Sequence, residues 1–292
     1  MSLLNFILEQ LVNGLTLGSL YALAAIGLAL VVGVLRLINF AHGDLFMIGS
    51  YLFFLARLDG TTPYWAAAAA TVAAMVMLGY LFERAIIERV LDKSWRVQLI
   101  ATLAISIIIV NVFIYYWGLN PKMAPTAYAS RFLEFGPVRI AVQRVLVFII
   151  TPIAFLLFTL FLQRTRTGRA MRAISQNREA CLMVGVDPHR IAGITFAISA
   201  GLAGLASVLL VPLYAVFPTM GTLLTFKALA AVIMGGFGQI KGALFASYLL
   251  GVSEAMAAGF ISSSYSDLVA FGVMILVLLL RPQGLFGRRI GI

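Results

Sequence analysis

Few residues of this sequence could carry chemistry, and the densest group of them lies near the N-terminus. Arg36, Asn39, His42 and Asp44 fall within nine residues of an otherwise apolar stretch, and Gly43 stands between the last two. Ionisable side chains at membrane depth are costly, and they usually face a bundle interior or a water-filled cavity. We therefore predict that Asn39, His42, Gly43 and Asp44 line or shape a pathway.

The rest of the sequence offers no catalytic constellation. His42 and His189 are the only histidines and lie far apart, and no HExxH, GxSxG or Walker A pattern occurs. The single cysteine, Cys181, excludes an intramolecular disulfide and a CxxC metal site. We expect a protein that is not an enzyme and that binds no metal or cofactor of its own.

Carboxylates that could relay protons inside a membrane are also scarce. Asp44, Glu254 and Asp267 are the candidates, although a proton-driven pump normally needs buried acidic groups. Asp267 follows three consecutive serines, which favours a residue at the N-terminus of a helix. The sequence leaves the role of Glu254 open.

The composition shows what must position these residues. Of the 292 residues, 62% are hydrophobic and 11% are charged, against roughly 45–50% and about 25% in soluble proteins. Several apolar runs reach the roughly 20 residues that a helix needs to cross a bilayer. The net charge of +10 lies in short segments beside these runs, which favours contact with anionic lipid over nucleic acid.

The sequence predicts one domain over residues 1–292, an all-α polytopic transmembrane helical bundle of about 8–10 spans. Two of its hydrophobic units, 32–52 and 223–240, are interrupted, the first by Gly43 and the second by Lys227 and a glycine run. They are predicted to be broken or re-entrant helices. For the first unit an alternative stays open, in which 36–44 is an interfacial loop and only 45–56 is buried. The predicted units are 11–32, 32–52, 62–82, 97–117, 145–162, 191–211, 223–240, 242–260 and 268–280.

Residues 164–190, which we call the arginine-rich segment, hold six arginines against Glu179 and Asp187. The positive-inside rule places this segment in the cytoplasm. Counting crossings from it places a charged loop at 83–96 and the C-terminus on the same side. The connection 118–144, predicted to be a folded loop or hairpin, and the N-terminus then lie outside, unless 36–44 re-enters.

Within the arginine-rich segment, 167–177 and 178–184 are predicted to be two short amphipathic helices. Gly185 would end the second, and Asp187 with Pro188 would begin the next membrane helix. A short surface helix between two spans can dock into a groove of a soluble partner. The alternative is a solvated loop whose arginines act only in topology.

The sequence around Glu179 resembles the EAA loop of ABC importer permeases, whose pattern is Glu-Ala-Ala-x-x-x-Gly. Here it consists of Glu179, Ala180, Cys181 and Gly185, preceded by Arg178, and Cys181 stands where the family has alanine. Several flanking segments resemble the branched-chain amino acid permease family in particular, its LivH type, and the resemblance covers nearly the whole chain. These segments are 13–15, 26–28, 38–44, 167–173 and 195–197.

The resemblance implies a permease subunit of an ATP-binding cassette importer in the bacterial cytoplasmic (inner) membrane. It would translocate leucine, isoleucine and valine as a heterodimer with a LivM-type permease. Two cytoplasmic ATPase subunits, which carry the ATP and Mg, and a periplasmic binding protein would complete the complex. The segment around Arg178 and Glu179 would couple to the ATPases. Alternatives are a permease of the same family for urea, amides or other amino acids, or a secondary transporter.

Overall fold

Seven helices of the described chain are long and apolar enough to cross a membrane, and two shorter apolar helices accompany them. The computed structural model describes residues 3–58, 60–124, 126–135 and 138–287. These helices confirm the predicted all-α polytopic bundle and its nine hydrophobic units. The elements in chain order are α1 (Leu3–Leu35), α2 (His42–Ala56), α3 (Tyr64–Phe82), α4 (Glu88–Val90), α5 (Trp95–Trp117), α6 (Ala127–Ser130), β1 (Phe132–Phe135), β2 (Val138–Ala141), α7 (Val142–Arg164), α8 (Arg166–Gln176), α9 (Arg178–Met183), α10 (Pro188–Leu210), α11 (Met220–Gly235), α12 (Ile240–Phe260) and α13 (Ser266–Leu280).

The helix α1 lies at the centre of the bundle. It is apolar around its whole circumference, and helices of that kind are buried. Its most apolar stretch is 89% buried, against 11% for α5 and 6% for the stretch that contains α13. Gly14 and Gly18 lie against the backbone of α12 near Gly251, as small residues at helix interfaces allow. The outer helices α5 and α13 therefore present apolar surface to lipid or to another subunit.

The first interrupted unit is broken, as predicted, but not at Gly43. Helix α1 ends at Leu35, Arg36 has a positive φ of 55°, and α2 begins only at His42. Helix α2 has 15 residues, fewer than the roughly 20 that a helix needs to cross a bilayer. The prediction that Gly43 interrupts the helix is wrong, because Gly43 lies inside α2.

Close packing explains why a glycine stands at position 43. A Cβ there would overlap the carbonyl oxygen of Gly221 at the start of α11, so the two backbones meet directly. The alternative of an interfacial loop over 36–44 is right for the connection 36–41, which lies outside the helices. It is wrong that only 45–56 is buried, since Asn39, His42 and Asp44 are buried as well. The start of α2 therefore lies inside the bundle.

The second interrupted unit, 223–240, is broken at its glycine run, as predicted. Helix α11 ends at Gly235, and Gly236 and Gly238 have φ values of 103° and 72° before α12 begins. A side chain at either position would be strained, because L-residues rarely adopt such angles.

The prediction of a charged loop over 83–96 is wrong for most of its length. Helix α3 continues through a π-helical turn, Glu83–Ile87, into α4, and the next helix begins at Trp95. Arg84 and Glu88 form an i,i+4 ion pair of 2.8 Å on this extension, which supports a helix. The Glu83 side chain is buried against α10 beside Gly193. Charge density alone therefore did not mark a loop.

Contacts assign the ends of the helices to two faces of the bundle. Arg36 after α1 donates to the Ser175 carbonyl in α8, and Asp92 before α5 pairs with Arg178 in α9. The segment after α13 lies against the end of α11, where the amide of Leu285 donates to the Met234 carbonyl. These ends share one face with the arginine-rich segment, as the count of crossings predicts. Arg288 and Arg289 lie outside the described residues.

The opposite face carries the connection between α5 and α7. It contains α6 and the antiparallel hairpin β1–β2, in which Phe132 is opposite Ala141. Lys122 forms a two-way backbone bridge with Val216. The predicted hairpin is therefore confirmed.

Candidate functional site

The arginine-rich segment folds into the two short helices that its sequence predicts, α8 and α9. Each boundary carries a side chain that caps the following helix. Thr165 accepts a hydrogen bond from the Gly168 amide (3.0 Å), and Asn177 accepts one from the Ala180 amide (3.0 Å). Asp187 caps α10 in the same way. These caps satisfy amides that a helix leaves unpaired, and each typically stabilises by about 1 kcal/mol.

One face of the arginine-rich segment is packed onto the membrane helices. Met171 and Ile174 of α8 and Cys181 of α9 are buried in a cluster with side chains of α1 and α7, including Val34 and Leu162. The Arg172 guanidinium also donates to the Leu162 carbonyl. A force on this segment would therefore reach α1 and α7 through packed side chains.

The residues of the EAA-like pattern divide between the two sides of α9. Glu179 and Ala180 are exposed, whereas Cys181 points into the bundle and is buried. Arg178 pairs with Asp92 at 2.8 Å. Gly185 has a φ of 78° and ends the helical turn, as a glycine in the left-handed region does.

Three apolar side chains at the end of α9 were not predicted from the sequence. Leu182, Met183 and Val184 are exposed, and Met183 is 88% exposed. Their exposure depends on which face of a two-turn helix packs on the bundle, and no local sequence signal shows it. Exposed apolar residues beside a polar rim mark interaction sites.

The predicted pathway residues lie together at the start of α2, inside the bundle. The His42 ring nitrogen Nε2 is 2.9 Å from the Ala24 carbonyl of α1. The Gly43 amide donates to the Thr225 hydroxyl of α11 at 2.9 Å. Asn39 accepts a hydrogen bond from the Ala41 amide. These groups are closed off from solvent in this structure, so their place in a pathway stays a prediction.

Asp44 extends this polar group towards α5. Its carboxylate is buried and lies beside the Ser106 hydroxyl. Ser106 and Thr102 are the buried residues of α5, so the inner side of α5 is polar where it faces α2. Helices α1, α2, α5 and α11 therefore surround this site.

A second polar cluster, which we call the Lys227 cluster, ties four helices together. The Lys227 ammonium is 2.7 Å from Glu254 Oε1, 2.8 Å from Asp267 Oδ1 and 3.0 Å from the Tyr21 hydroxyl. Tyr21 in turn donates to Glu254 Oε2 at 2.9 Å. Asp267 stands in the first turn of α13, as predicted. Glu254, whose role the sequence left open, is a buried partner of Lys227.

The surroundings of the Lys227 cluster reach the connection between α10 and α11. Burial raises the pKa of the Tyr214 phenol there, Arg144 opposes this shift, and Glu254 adds to it. The positive charge of Arg144 and the negative charge of Glu254 therefore shift the pKa of Tyr214 in opposite directions. Among the described residues, no group of three His, Cys, Asp or Glu side chains could hold a metal ion.

Comparison with known proteins identifies the family. The family described as "Branched-chain amino acid transport system / permease component" matches residues 10–278. The chain is 39% identical to the high-affinity branched-chain amino acid transport system permease protein BraD of Pseudomonas aeruginosa over 96% of both chains. It is 34% identical to the corresponding protein LivH of Escherichia coli, over 97% of this chain and 96% of that one.

A more distant relative is the permease protein LivM of Escherichia coli, with 28% identity over 92% of this chain and 68% of LivM. The matches to BraD and LivH cover nearly the full length of the chain, so they include the arginine-rich segment, the start of α2 and the Lys227 cluster. The chain therefore belongs to the family of branched-chain amino acid transport permease components.

Proposed function

We propose that this chain is a permease subunit of an ATP-binding cassette importer that carries branched-chain amino acids across the bacterial cytoplasmic membrane. The observation that carries the proposal is the similarity to BraD and LivH over nearly the whole chain, because both names state a permease of a high-affinity branched-chain amino acid transport system. No comparable observation favours a permease for urea or amides, or a secondary transporter.

The arginine-rich segment is the proposed contact with the ATPase subunits. Glu179 and Ala180 are exposed on α9, and the apolar side chains from Leu182 to Val184 follow them. Such a surface suits a groove on a soluble partner. ATP and Mg would bind to that partner, and the packed face of the segment would pass its movement to α1 and α7.

The remaining partners follow from the same proposal. A LivM-type permease would pair with this chain, and the exposed apolar side chains of α5 and α13 offer faces for this contact. A periplasmic binding protein would deliver the amino acid to the face that carries the β1–β2 hairpin. The arginine-rich segment and the C-terminus would then lie in the cytoplasm.

The test is transport by the complete complex in proteoliposomes. The complex is expected to take up leucine with ATP inside and the binding protein outside, and to take up no urea. Glu179→Arg is expected to abolish ATP hydrolysis stimulated by the binding protein, although the complex still assembles in the membrane. Arg166→Glu is the matched control, since it reverses an exposed charge in the same segment. Leucine uptake that follows an ion gradient without ATP would overturn the proposal.

A further inference from the structure

A cavity of about 460 Å³ lies where the arginine-rich segment meets the end of α1. This volume falls within the roughly 300–1,000 Å³ of small-molecule sites. Its floor is apolar and includes Val34, Leu91 and Ile174, whereas Arg36, Arg178 and Glu179 supply charged groups. The cavity therefore combines an apolar floor with charges of both signs.

Among the residues that line this cavity, Arg36 has a backbone conformation that side chains rarely adopt. It follows the last residue of α1 and has a φ of 55°, the one positive value among the described residues other than glycine. Glycine usually occupies this position after a helix, because a side chain there costs roughly 1–2 kcal/mol. An arginine that stands here despite this cost points to a use of its side chain.

The contacts of Arg36 within the chain leave its guanidinium available to a ligand. Its hydrogen bond among the described residues runs from Nη2 to the Ser175 carbonyl at 3.4 Å, which is long for such a bond. Arg178 is instead held by Asp92 at 2.8 Å. Arg36 and Glu179 thus remain as one positive and one negative group that are both exposed.

We infer that this cavity binds a free aliphatic amino acid, the class of compound that the proposed importer carries. The guanidinium of Arg36 would receive the α-carboxylate, since arginine binds carboxylates through two parallel hydrogen bonds. Glu179 would receive the α-ammonium, and the branched side chain would lie on the floor near Leu91 and Ile174. A simple anion would gain nothing from the Glu179 carboxylate.

The position of the cavity gives this binding a consequence for transport. The ligand would bridge the end of α1 and the first turn of α9 through Glu179, the carboxylate that the proposed function places at the contact with the ATPases. The exposed apolar residues from Leu182 to Val184 follow it on α9 and do not line the cavity. A bridge of this kind holds the coupling segment against α1. The amino acid that accumulates on this face therefore slows its own import.

The first test measures binding of radiolabelled leucine to the purified complex without its binding protein. Arg36→Gly removes the guanidinium and suits the left-handed backbone, so the variant is expected to fold. Arg36→Gly should weaken leucine binding about tenfold, as the loss of a charged hydrogen bond does. Arg36→Asn should weaken it to the same extent. Arg281→Gly is the matched control, because Arg281 also follows a helix, donates to a carbonyl at 3.5 Å and does not line the cavity.

Equal leucine binding by the wild type and Arg36→Gly would overturn the inference. Isocaproate, which is leucine without its α-ammonium group, should bind more weakly than leucine, and equally tight binding would overturn the assignment of a zwitterion. Binding that appears only after the ATPases are stripped from the complex would show that they fill the cavity, and it would overturn the effect on transport.

The second test uses proteoliposomes loaded with unlabelled leucine, and it separates this inference from the proposed function on which it rests. Internal leucine should lower the initial rate of uptake by the wild type and by Arg281→Gly, but not by Arg36→Gly. Without internal leucine, all three should transport equally. A wild-type complex that imports no leucine contradicts the proposed function. A complex that imports leucine and ignores internal leucine contradicts only the inference.

Discussion

The Lys227 ammonium lies 2.7 Å from the Glu254 carboxylate, and both side chains are buried between membrane helices. Such a pair contributes little net stability compared with apolar residues, but the loss of one partner leaves an uncompensated charge. The pair joins α11, a short helix, to α12 beside the central α1. We therefore expect it to fix the position of α11.

Lys227→Met should destabilise the protein by about 3–5 kcal/mol, because Glu254 then keeps a buried charge without its partner. Thermal unfolding of the purified protein in detergent measures the change. Lys241→Met is the matched control, since Lys241 is an exposed lysine at the start of α12 and its loss should change stability by less than about 0.5 kcal/mol. An equal effect of both substitutions would contradict a buried ion pair.

The double variant Lys227→Met with Glu254→Gln should be more stable than Lys227→Met alone. Removing the second charge also removes the cost of burying it unpaired, and coupled residues of this kind differ from additivity by about 0.5–3 kcal/mol. Unfolding of the two single variants and the double variant completes the cycle. Strict additivity would show that the two charges do not interact.

Asp267→Asn should cost no more than about 1 kcal/mol, the usual value for an ion pair in contact with water. Its side chain is 45% exposed, although its Oδ1 is only 2.8 Å from the Lys227 ammonium. The same unfolding assay gives the comparison. A loss as large as that from Lys227→Met would mean that Asp267, not Glu254, is the main partner.

Gly43→Ala should destabilise the bundle by about 1–3 kcal/mol, the usual cost of overpacking. Its Cβ would overlap the backbone of Gly221, so α2 and α11 could no longer meet as they do. Gly272→Ala is the control, because no atom lies within 4 Å of a Cβ at that helical position. Unfolding and the yield of inserted protein both report the difference, and equal yields and stabilities would contradict the contact.

The sequence predicts those parts of the structure that depend on local chemistry. Gly185 and Asp187 act over two or three positions, so the end of α9 and the start of α10 could be placed from them. The caps Thr165 and Asn177 were not predicted, and the first short helix was expected to begin at residue 167. The Lys227 cluster could not be predicted, because Lys227 and Glu254 are 27 residues apart and meet only through packing. Glu83 shows the same limit, since its burial depends on α10.

Met183→Glu should weaken the contact with the ATPase about tenfold or more, as the loss of a central apolar anchor does at interfaces. Met183 is 88% exposed at the end of α9, so the change should leave the fold intact. Co-purification of the ATPases at increasing salt measures the contact. Met123→Glu is the control, because Met123 is exposed in the connection on the opposite face. Undiminished co-purification with Met183→Glu would place the contact elsewhere on the arginine-rich segment.

Substitutions of Gly185 test whether the left-handed backbone after α9 is needed for coupling to the ATPases. It has a φ of 78°, and a Cβ at this position would have no atom within 4 Å, so a substitution meets strain of the backbone and no steric overlap. Gly185→Val should therefore disturb the turn after α9 and lower ATP hydrolysis stimulated by the binding protein. Gly185→Asn should retain most of it, because asparagine tolerates the left-handed region. The ratio of stimulated to basal hydrolysis measures coupling, and basal hydrolysis should stay unchanged. If both variants lost coupling equally, the side chain at position 185 would itself obstruct the partner, and the backbone angle would not be the reason for the glycine.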